Sequence, residues 1–378
     1  MNPYDPQHPT PPDQFAGRAL LIQRTREALD AASRYRRGTA ILVHGHRGSG
    51  KTSALKKIRS LSEGALPGSI VVEVPLQESL SGDRLLEAVA EEARSFVRRK
   101  KLEGSRWHKV WDRLTAVQVS VLGTSVSVGK APAGSPTNPL TLLRETLSAL
   151  AGVPLLLVTI DDAERLSPDA VRTLKSIVEE DSPVPILLAV GAGPELLHRL
   201  ASHDYSPVAR IFSGAVFDME SFSAGETREA LETPLKGRRG ADPWTAESIQ
   251  RIHELSHGYP YLVKCLAYAA WQEGRALGAP DVDAAVPKAL SVGAAWFERE
   301  LQNASDGDVA AFVRLARSGK TTFRTKDILE LGVNYAYVGR LVRLSVIAKV
   351  GPARYELRKA PVIAYFHELR RRLSSPTR

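Results

Sequence analysis

The octet Gly45-His46-Arg47-Gly48-Ser49-Gly50-Lys51-Thr52 constrains this chain more than any other feature. It satisfies G-x-x-x-x-G-K-[ST] in full. The short apolar run Thr39-Ala40-Ile41-Leu42-Val43 precedes it and reads as a buried strand, and Lys51 to Leu61 has helical apolar spacing. Strand, glycine turn, helix is the context in which the octet works as a phosphate loop. The glycines let the chain fold back so that successive backbone N–H groups point at phosphate oxygens, and the helix adds its positive N-terminal end. Gly45, His46, Arg47, Gly48, Ser49, Gly50, Lys51 and Thr52 are therefore the candidate phosphate-binding residues. Lys51 is placed for the β- and γ-phosphates, and the Thr52 hydroxyl for Mg²⁺.

A metal held by one hydroxyl also needs a carboxylate at the tip of a neighbouring strand. Leu155-Leu156-Leu157-Val158-Thr159-Ile160 reads as a buried strand and runs into Asp161-Asp162-Ala163-Glu164. Asp161 is the candidate metal ligand, and Asp162 is next in line to position an attacking water. The plainer reading is an aspartate pair capping a helix.

Further buried-strand candidates are Ser69 to Leu76, Pro185 to Val190 and Ala215 to Met219, separated by helical stretches at Ser81 to Arg99, Leu140 to Leu150 and Pro168 to Glu180. Ser167 is placed to cap the last of these, with Pro168 at its first position. Alternation of this kind predicts an α/β sandwich with a parallel sheet. The expected organisation is an extended N-terminal arm over 1–14, rich in proline, a core over 15–220, a helical lid over 221–300, and a C-terminal domain over 301–378. Within the core, Val117, Val119 and Val121, followed by Val126 and Val128, suggest a hairpin insertion over 116–136. In the lid, Ala224 to Leu235, Thr245 to Ser256, Pro260 to Glu273 and Asp281 to Leu301 read as helices. The last domain reads as three helices, a hairpin turning at Gly351-Pro352-Ala353, and a closing helix. That is the order of a winged helix.

Charge singles out this last domain. The chain holds 51 Lys+Arg and 42 Asp+Glu; residues 301–378 contain 15 and 6 of them, so the whole net charge of +9 lies there. Such asymmetry points to a module for an anionic partner, or to a basic tail kept for solubility. With one cysteine, Cys265, an intrachain disulfide framework and a thiolate zinc site are excluded. The start, Met1-Asn2-Pro3-Tyr4-Asp5-Pro6, has neither a basic cluster nor an apolar core, and the apolar stretch Leu147 to Ile160 is too short to span a bilayer. The expectation is a cytoplasmic protein with no membrane partner.

The two acidic and glycine-rich motifs together resemble the Walker A and Walker B motifs of P-loop ATPases. Phe15-Ala16-Gly17-Arg18 looks like the F-x-G-R box that contacts adenine in AAA+ and STAND ATPases, which implies base contacts at Phe15, Gly17 and Arg18. Gly258-Tyr259-Pro260 resembles the G-x-P motif that STAND ATPases place near the nucleotide, which implies a role for Pro260. Arg210-Ile211-Phe212 sits where AAA+ proteins carry an arginine finger; a surface arginine in an interdomain salt bridge is the other reading of Arg210. The order of core, lid and winged helix is similar to that of archaeal and eukaryotic replication-initiator ATPases, and more so to bacterial ATPases of the archaeal-ATPase or STAND type. The resemblance implies ATP and Mg²⁺ as cofactors, Lys51, Asp161, Asp162 and Arg210 as catalytic residues, and a nucleotide-dependent homo-oligomer. Three departures point to slow turnover and a switch rather than a motor. Asp161-Asp162 stands for the usual Asp-Glu. Gly191-Ala192-Gly193 stands where sensor 1 carries Asn, Ser or Thr. No sensor 2 arginine appears in Pro260-Tyr261-Leu262-Val263-Lys264.

A winged helix lays its third helix in the DNA major groove and its wing on the backbone. In Asn334 to Leu344, apolar Val338, Leu341 and Leu344 fall on one face, which turns Tyr337, Arg340 and Arg343 outward; the wing adds Lys349, Arg354, Arg358 and Lys359. These are the candidate DNA-binding residues. Two readings stand: an ATPase that binds DNA, or a signalling ATPase whose winged helix docks a protein partner. Trp107 and Trp111, four apart, read as core, and His44 and His46 have no partner cluster that would make a metal site.

Overall fold

The computed structural model describes residues 2–76, 79–100, 105–121, 138–237, 243–272 and 275–374. The chain forms two compact units. One is Ala19–His44 with Ala54–Asp218; the other is Met1–Arg18, Gly45–Ser53 and Met219–Arg378.

The first unit runs α1 (Ala19–Tyr35), β1 (Thr39–His44), the greater part of α2 (Lys51–Ala65), β2 (Ile70–Val74), α3 (Gly82–Lys100), α4 (Ser105–Val121), α5 (Pro139–Ala149), β3 (Leu156–Ile160), α6 (Pro168–Glu179), β4 (Ile186–Ala192), α7 (Pro194–Leu200), α8 (Ser206–Ile211) and β5 (Val216–Asp218). The five strands form one sheet in the order β2-β3-β4-β1-β5, and every pair is parallel. Parallel strands are covered on both faces, so they read as unbroken apolar runs. Leu156 to Ile160 and Ile186 to Ala192 are buried throughout. Register brings His44 opposite Ala192 and Asp218, and Ile160 opposite Val190, so the turns after β1, β3 and β4 leave from one edge. At α6, Ser167 Oγ accepts from the Ala170 N–H at 3.1 Å, with Pro168 in the first turn.

The expected hairpin over 116–136 is not what forms at its start. Residues 117–121 continue α4 as helix. The helix whose Val110 and Leu114 are buried runs on through residue 121, so helical structure overrides the alternation of Val117, Val119 and Val121. Val126 and Val128 lie outside the described residues. Trp107 packs edge-on against Phe96, 5.8 Å between centroids, as core aromatics do.

The second unit carries α9 (Ala224–Glu232), α10 (Ala246–Ser256), α11 (Pro260–Ala270), α12 (Ala279–Ser291), α13 (Ala294–Glu300), α14 (Asp306–Arg317), β6 (Thr322–Arg324), α15 (Thr325–Glu330), α16 (Tyr335–Arg343), β7 (Ile347–Gly351), β8 (Arg354–Leu357) and α17 (Pro361–Ser374). The single helix expected from Asp281 to Leu301 is two, broken at Val292-Gly293. A Cβ at Gly293 would come within 2.9 Å of the Phe297 ring, so the break rests on a close approach. Strand β6, only three residues long, completes an antiparallel sheet in the order β6-β8-β7. It is too short to display an alternating pattern, and Phe323 alone anchors it inward.

The lid and the C-terminal module, expected as separate domains, share one hydrophobic core that includes Leu266, Phe297, Phe312, Leu341 and Phe366. Helix α17 joins them: it packs on α10, α12 and α13 as well as on α14, and Phe366 stacks on Phe297 at 4.2 Å. The arm is docked as well. Tyr4 is 3% exposed. Its hydroxyl donates to the Leu231 carbonyl and accepts from Trp244 Nε1, and Trp244 and Trp271 meet its ring edge-on. Burying such a ring is worth on the order of 2–3 kcal/mol, enough to hold a segment with almost no regular structure of its own. Among the described residues, no helix is long and apolar enough to cross a membrane.

Candidate nucleotide site

The phosphate loop leaves β1 and enters α2 as expected. Gly48 and Gly50 have φ of +85° and +100°, conformations that favour glycine, and these reversals make the fold-back possible. Lys51 is buried; its Nζ donates to the Gly45 carbonyl at 2.8 Å and to the His46 carbonyl at 3.3 Å, which curls the loop around the ammonium. Ser49 Oγ is buried without a hydrogen-bond partner in the protein. A buried hydroxyl of that kind calls for a polar ligand. Thr52, by contrast, is exposed. The donor set, a fixed cation with backbone N–H groups at a helix start, fits a polyphosphate.

Three segments distant in sequence gather at this loop within the second unit. The first is the start of α11: the Tyr259 hydroxyl donates to the Arg47 carbonyl at 2.9 Å, and a Cβ on Gly48 would stand 3.1 Å from Tyr261 Cβ. The second is the Phe15–Arg18 box, held by α9. Glu226 accepts from the Arg18 N–H and Glu229 from the Gly17 N–H, both at 3.0 Å, while the Arg18 guanidinium lies over the Phe222 ring. Burial raises the Glu226 carboxyl, but the Arg18 and Ser223 N–H groups and the Arg18 charge outweigh it and leave the pKa lowered. The third is the arm, whose Thr10 N–H donates to Ser53 Oγ at 3.0 Å and whose His8 carbonyl accepts from Lys264 Nζ at 2.8 Å. Together they wall an apolar pocket bounded by Tyr4, Phe15, Met219, Phe222, Pro260 and Val263, with Ser49 and Gly50 at its edge. An apolar slot opening onto a phosphate loop suits a nucleoside. The structure thus brings Phe15, Arg18 and Pro260 together with the loop. Tyr4, Met219, Phe222 and Tyr259 were not singled out from sequence; only contacts across more than two hundred residues reveal the first and the last.

The first unit holds the acidic turn. Asp161 leaves β3 half-buried, and Asp162 follows exposed with φ +53°, its N–H on Asp161 Oδ1 at 3.1 Å. Across the sheet, a Cβ at Gly191 would stand 2.8 Å from Asp161 Oδ1. The glycine where a sensor side chain was looked for leaves the room in which the Asp161 carboxylate sits. Glu164, three residues on, accepts from the Gly193 N–H at 2.8 Å and ties this turn to the one after β4. Arg210 is exposed at the end of α8, on the amino side of β5 and so at the edge of the sheet opposite the Asp161 turn.

In the C-terminal module the expected outward set divides. Arg343, Lys349 and Arg354 are exposed. Arg340 is not turned to solvent alone: it donates to Asp308 at 2.6 Å and to Ser305 at 3.0 Å, and Asp308 is 1% exposed. Arg358 pairs with buried Glu356 at 2.8 Å, and Lys359 with Glu300 at 2.6 Å. Tyr337 is half-buried between Arg340 and Gly307. The apolar spacing of α16 gave the correct face to the core, but the acids that hold Arg340 and Lys359 lie 32 and 59 residues away in sequence, and the one that holds Arg358 is on β8.

Residues 14–189 match the AAA ATPase domain. In fold, the chain is similar to the ORC2 protein of Aeropyrum pernix, solved in ADPNP and ADP complexes, with TM-score 0.53 and 14% identity over 95% of each chain. It is also similar to a Walker-type ATPase of Pyrococcus abyssi, with TM-score 0.51 and 17% identity over 94% of this chain and 96% of that one. No curated protein matches the chain.

Proposed function

We propose that the chain is a nucleotide-dependent switch: it binds ATP·Mg²⁺ between the phosphate loop and the arm–lid pocket, hydrolyses it slowly, and binds duplex DNA through a C-terminal winged helix. The observation that carries the nucleotide half is the gathering of Phe15, Arg18, Pro260 and the loop about one apolar pocket. Lys51 and the loop N–H groups hold the phosphates; Thr52 and Asp161 are the residues to hold Mg²⁺, which would supply charge neutralisation at the phosphates; Asp162 is placed to orient water. The DNA half is supported by the confinement of the net charge of +9 to residues 301–378 and by exposed Arg343, Lys349 and Arg354. In a nucleotide-dependent assembly, Arg210 would serve a neighbouring subunit, since it stands at the far edge of its own sheet.

The test is titration of the purified protein with duplex DNA across a salt series, with and without ATP. Binding should weaken with salt, and Arg343→Ala with Lys349→Ala should lower the log–log slope by about 2, one per phosphate contact. ATP should change the affinity by roughly 5- to 150-fold if the two sites are coupled. The second reading, a signalling ATPase whose winged helix docks a protein, is favoured by one observation: Arg340, Arg358 and Lys359 are committed to internal acids. Absence of salt-dependent DNA binding would give that reading precedence.

A further inference from the structure

The loop that holds the phosphates is touched, through one side chain, by a chain of contacts that ends in the C-terminal helix. Tyr259 donates its hydroxyl to the Arg47 carbonyl at 2.9 Å, in the middle of the octet, and its ring edge lies against Gly48. The ring is 3% exposed and meets Tyr365 of α17 edge-on at 6.4 Å. Tyr365 in turn packs on the His257 imidazole, 4.3 Å between centroids. His257 ends α10 with φ +49°, directly before Gly258, where a Cβ would come within 2.1 Å of the Phe222 carbonyl oxygen. The segment 257–259 therefore has little freedom to relocate Tyr259 on its own. His257 Nε2 also stands 3.5 Å from Glu368 of α17, whose carboxylate accepts from Arg317 of α14 and from Arg372, both at 2.9 Å. His257 foremost, then Arg317 and Arg372, hold the Glu368 carboxyl down to about 2 against the effect of burial. All of these residues belong to one compact unit.

We propose that Tyr259 is a positioning residue for the phosphate loop, and that α17 sets its position through Tyr365 and the Glu368 ion cluster, so that the C-terminal module governs nucleotide affinity. This rests on the reading of the loop as the nucleotide site. The loop carbonyl that Tyr259 engages lies between the residues whose N–H groups face the phosphates, so displacing the ring by a small amount changes the aim of those N–H groups. Close packing of this kind transmits a small shift in one element to a site elsewhere.

Four variants test it with a fluorescent ATP analogue titrated into the full chain, well below the melting transition. Lys51→Ala reports on the nucleotide site itself. Tyr259→Phe keeps the ring and removes the hydroxyl, and should weaken binding by about three- to tenfold, the range of one neutral hydrogen bond, with KM for ATP rising while kcat at saturation stays within about twofold. Glu368→Gln, which touches no part of the loop, should weaken binding in the same direction. In the double variant the two effects should fall short of their product, since coupled residues do not add. Binding by Tyr259→Phe within about twofold of the parent, or independent multiplication of the two effects, overturns the assignment. Retained affinity in Lys51→Ala would instead sink the reading of the loop, whereas loss there together with full affinity in Tyr259→Phe sinks only the role of Tyr259.

Discussion

Two glycine-bearing turns leave the same edge of the sheet, and they use glycine for different reasons. After β1, Gly48 and Gly50 adopt positive φ, so the residue type is required by the backbone path. At the end of β4, neither Gly191, the strand's penultimate residue, nor Gly193, just beyond it, has positive φ; what Gly191 provides is volume, because a Cβ there would press on the Asp161 carboxylate at 2.8 Å. In the proposed role the first turn works through backbone N–H groups and must be shaped. The second only has to stay out of the way of a carboxylate carried by its neighbour β3. The glycine at 191 and the seat of Asp161 are thus two sides of one packing fact, since a larger residue at 191 would have to displace Asp161.

The contrast can be broken most severely at Lys51, where the first turn's charge resides. Lys51→Ala removes the buried ammonium and the two carbonyl bonds that curl the loop, and nucleotide affinity should fall by about 100-fold or more, a charge-assisted contact to phosphate being worth about 3 kcal/mol. Calorimetric titration with ATP·Mg²⁺ measures it; retained tight binding would show that the loop's backbone suffices. Gly48→Ala comes next. Its φ of +85° costs an L-residue roughly 1–2 kcal/mol, and the new Cβ would stand 3.1 Å from Tyr261. Affinity should drop by about 10-fold, with the variant's far-ultraviolet spectrum unchanged.

At the second turn the expected damage moves from binding to turnover. Gly191→Ala forces the Asp161 carboxylate to rotate away from its seat, so ATP hydrolysis should fall by about tenfold while nucleotide affinity stays within about threefold, the pattern of an interaction made chiefly in the transition state. Phosphate release under saturating ATP is the measurement. A full parental rate in Gly191→Ala would mean that Asp161 does not act from the position it occupies here, and Asp161→Ala would then be expected to hydrolyse normally as well.

The difference between the turns also marks what could be read from the sequence. The path of the octet was legible because its determinants are local: it joins β1 directly to α2. Strands β1, β3 and β4 were legible because burial on both faces leaves an apolar run, and the α6 cap because Ser-Pro encodes it in two residues. Long-range requirements left no such trace. The arm that seats Tyr4 between Trp244 and Trp271 has no periodicity, and its anchor lies 240 residues away. Arg340 shows the same limit on α16. Helical spacing assigns it to the outer face, yet nothing in that spacing announces Asp308, which draws the guanidinium down onto α14. The valines from 117 to 121 failed for a third reason: an alternating run is compatible with both periods, and the preceding helix decided.

The smallest effect is expected at Gly193, and it is the sharpest test of the claim that the second turn needs space rather than shape. Gly193 caps α7 with φ −71° and ψ 172°, values any residue adopts. Its N–H donates to Glu164, and alanine would keep that bond. The added Cβ would meet Glu195 Oε2 at 2.5 Å, the free end of a flexible side chain, and Glu164 no closer than 3.4 Å. Two opposing contributions remain. Loss of backbone freedom in the unfolded chain stabilises by about 0.4–1 kcal/mol. Alanine is a poorer helix N-cap than glycine, which costs a comparable few tenths to 1 kcal/mol. Gly193→Ala should therefore leave stability within about 0.5 kcal/mol of the parent in urea melts, with ATP hydrolysis unchanged. A loss of 2 kcal/mol or more, on the order of a strained or overpacked site, would mean that the turn after β4 is shaped as tightly as the phosphate loop, and the distinction between the two would fall.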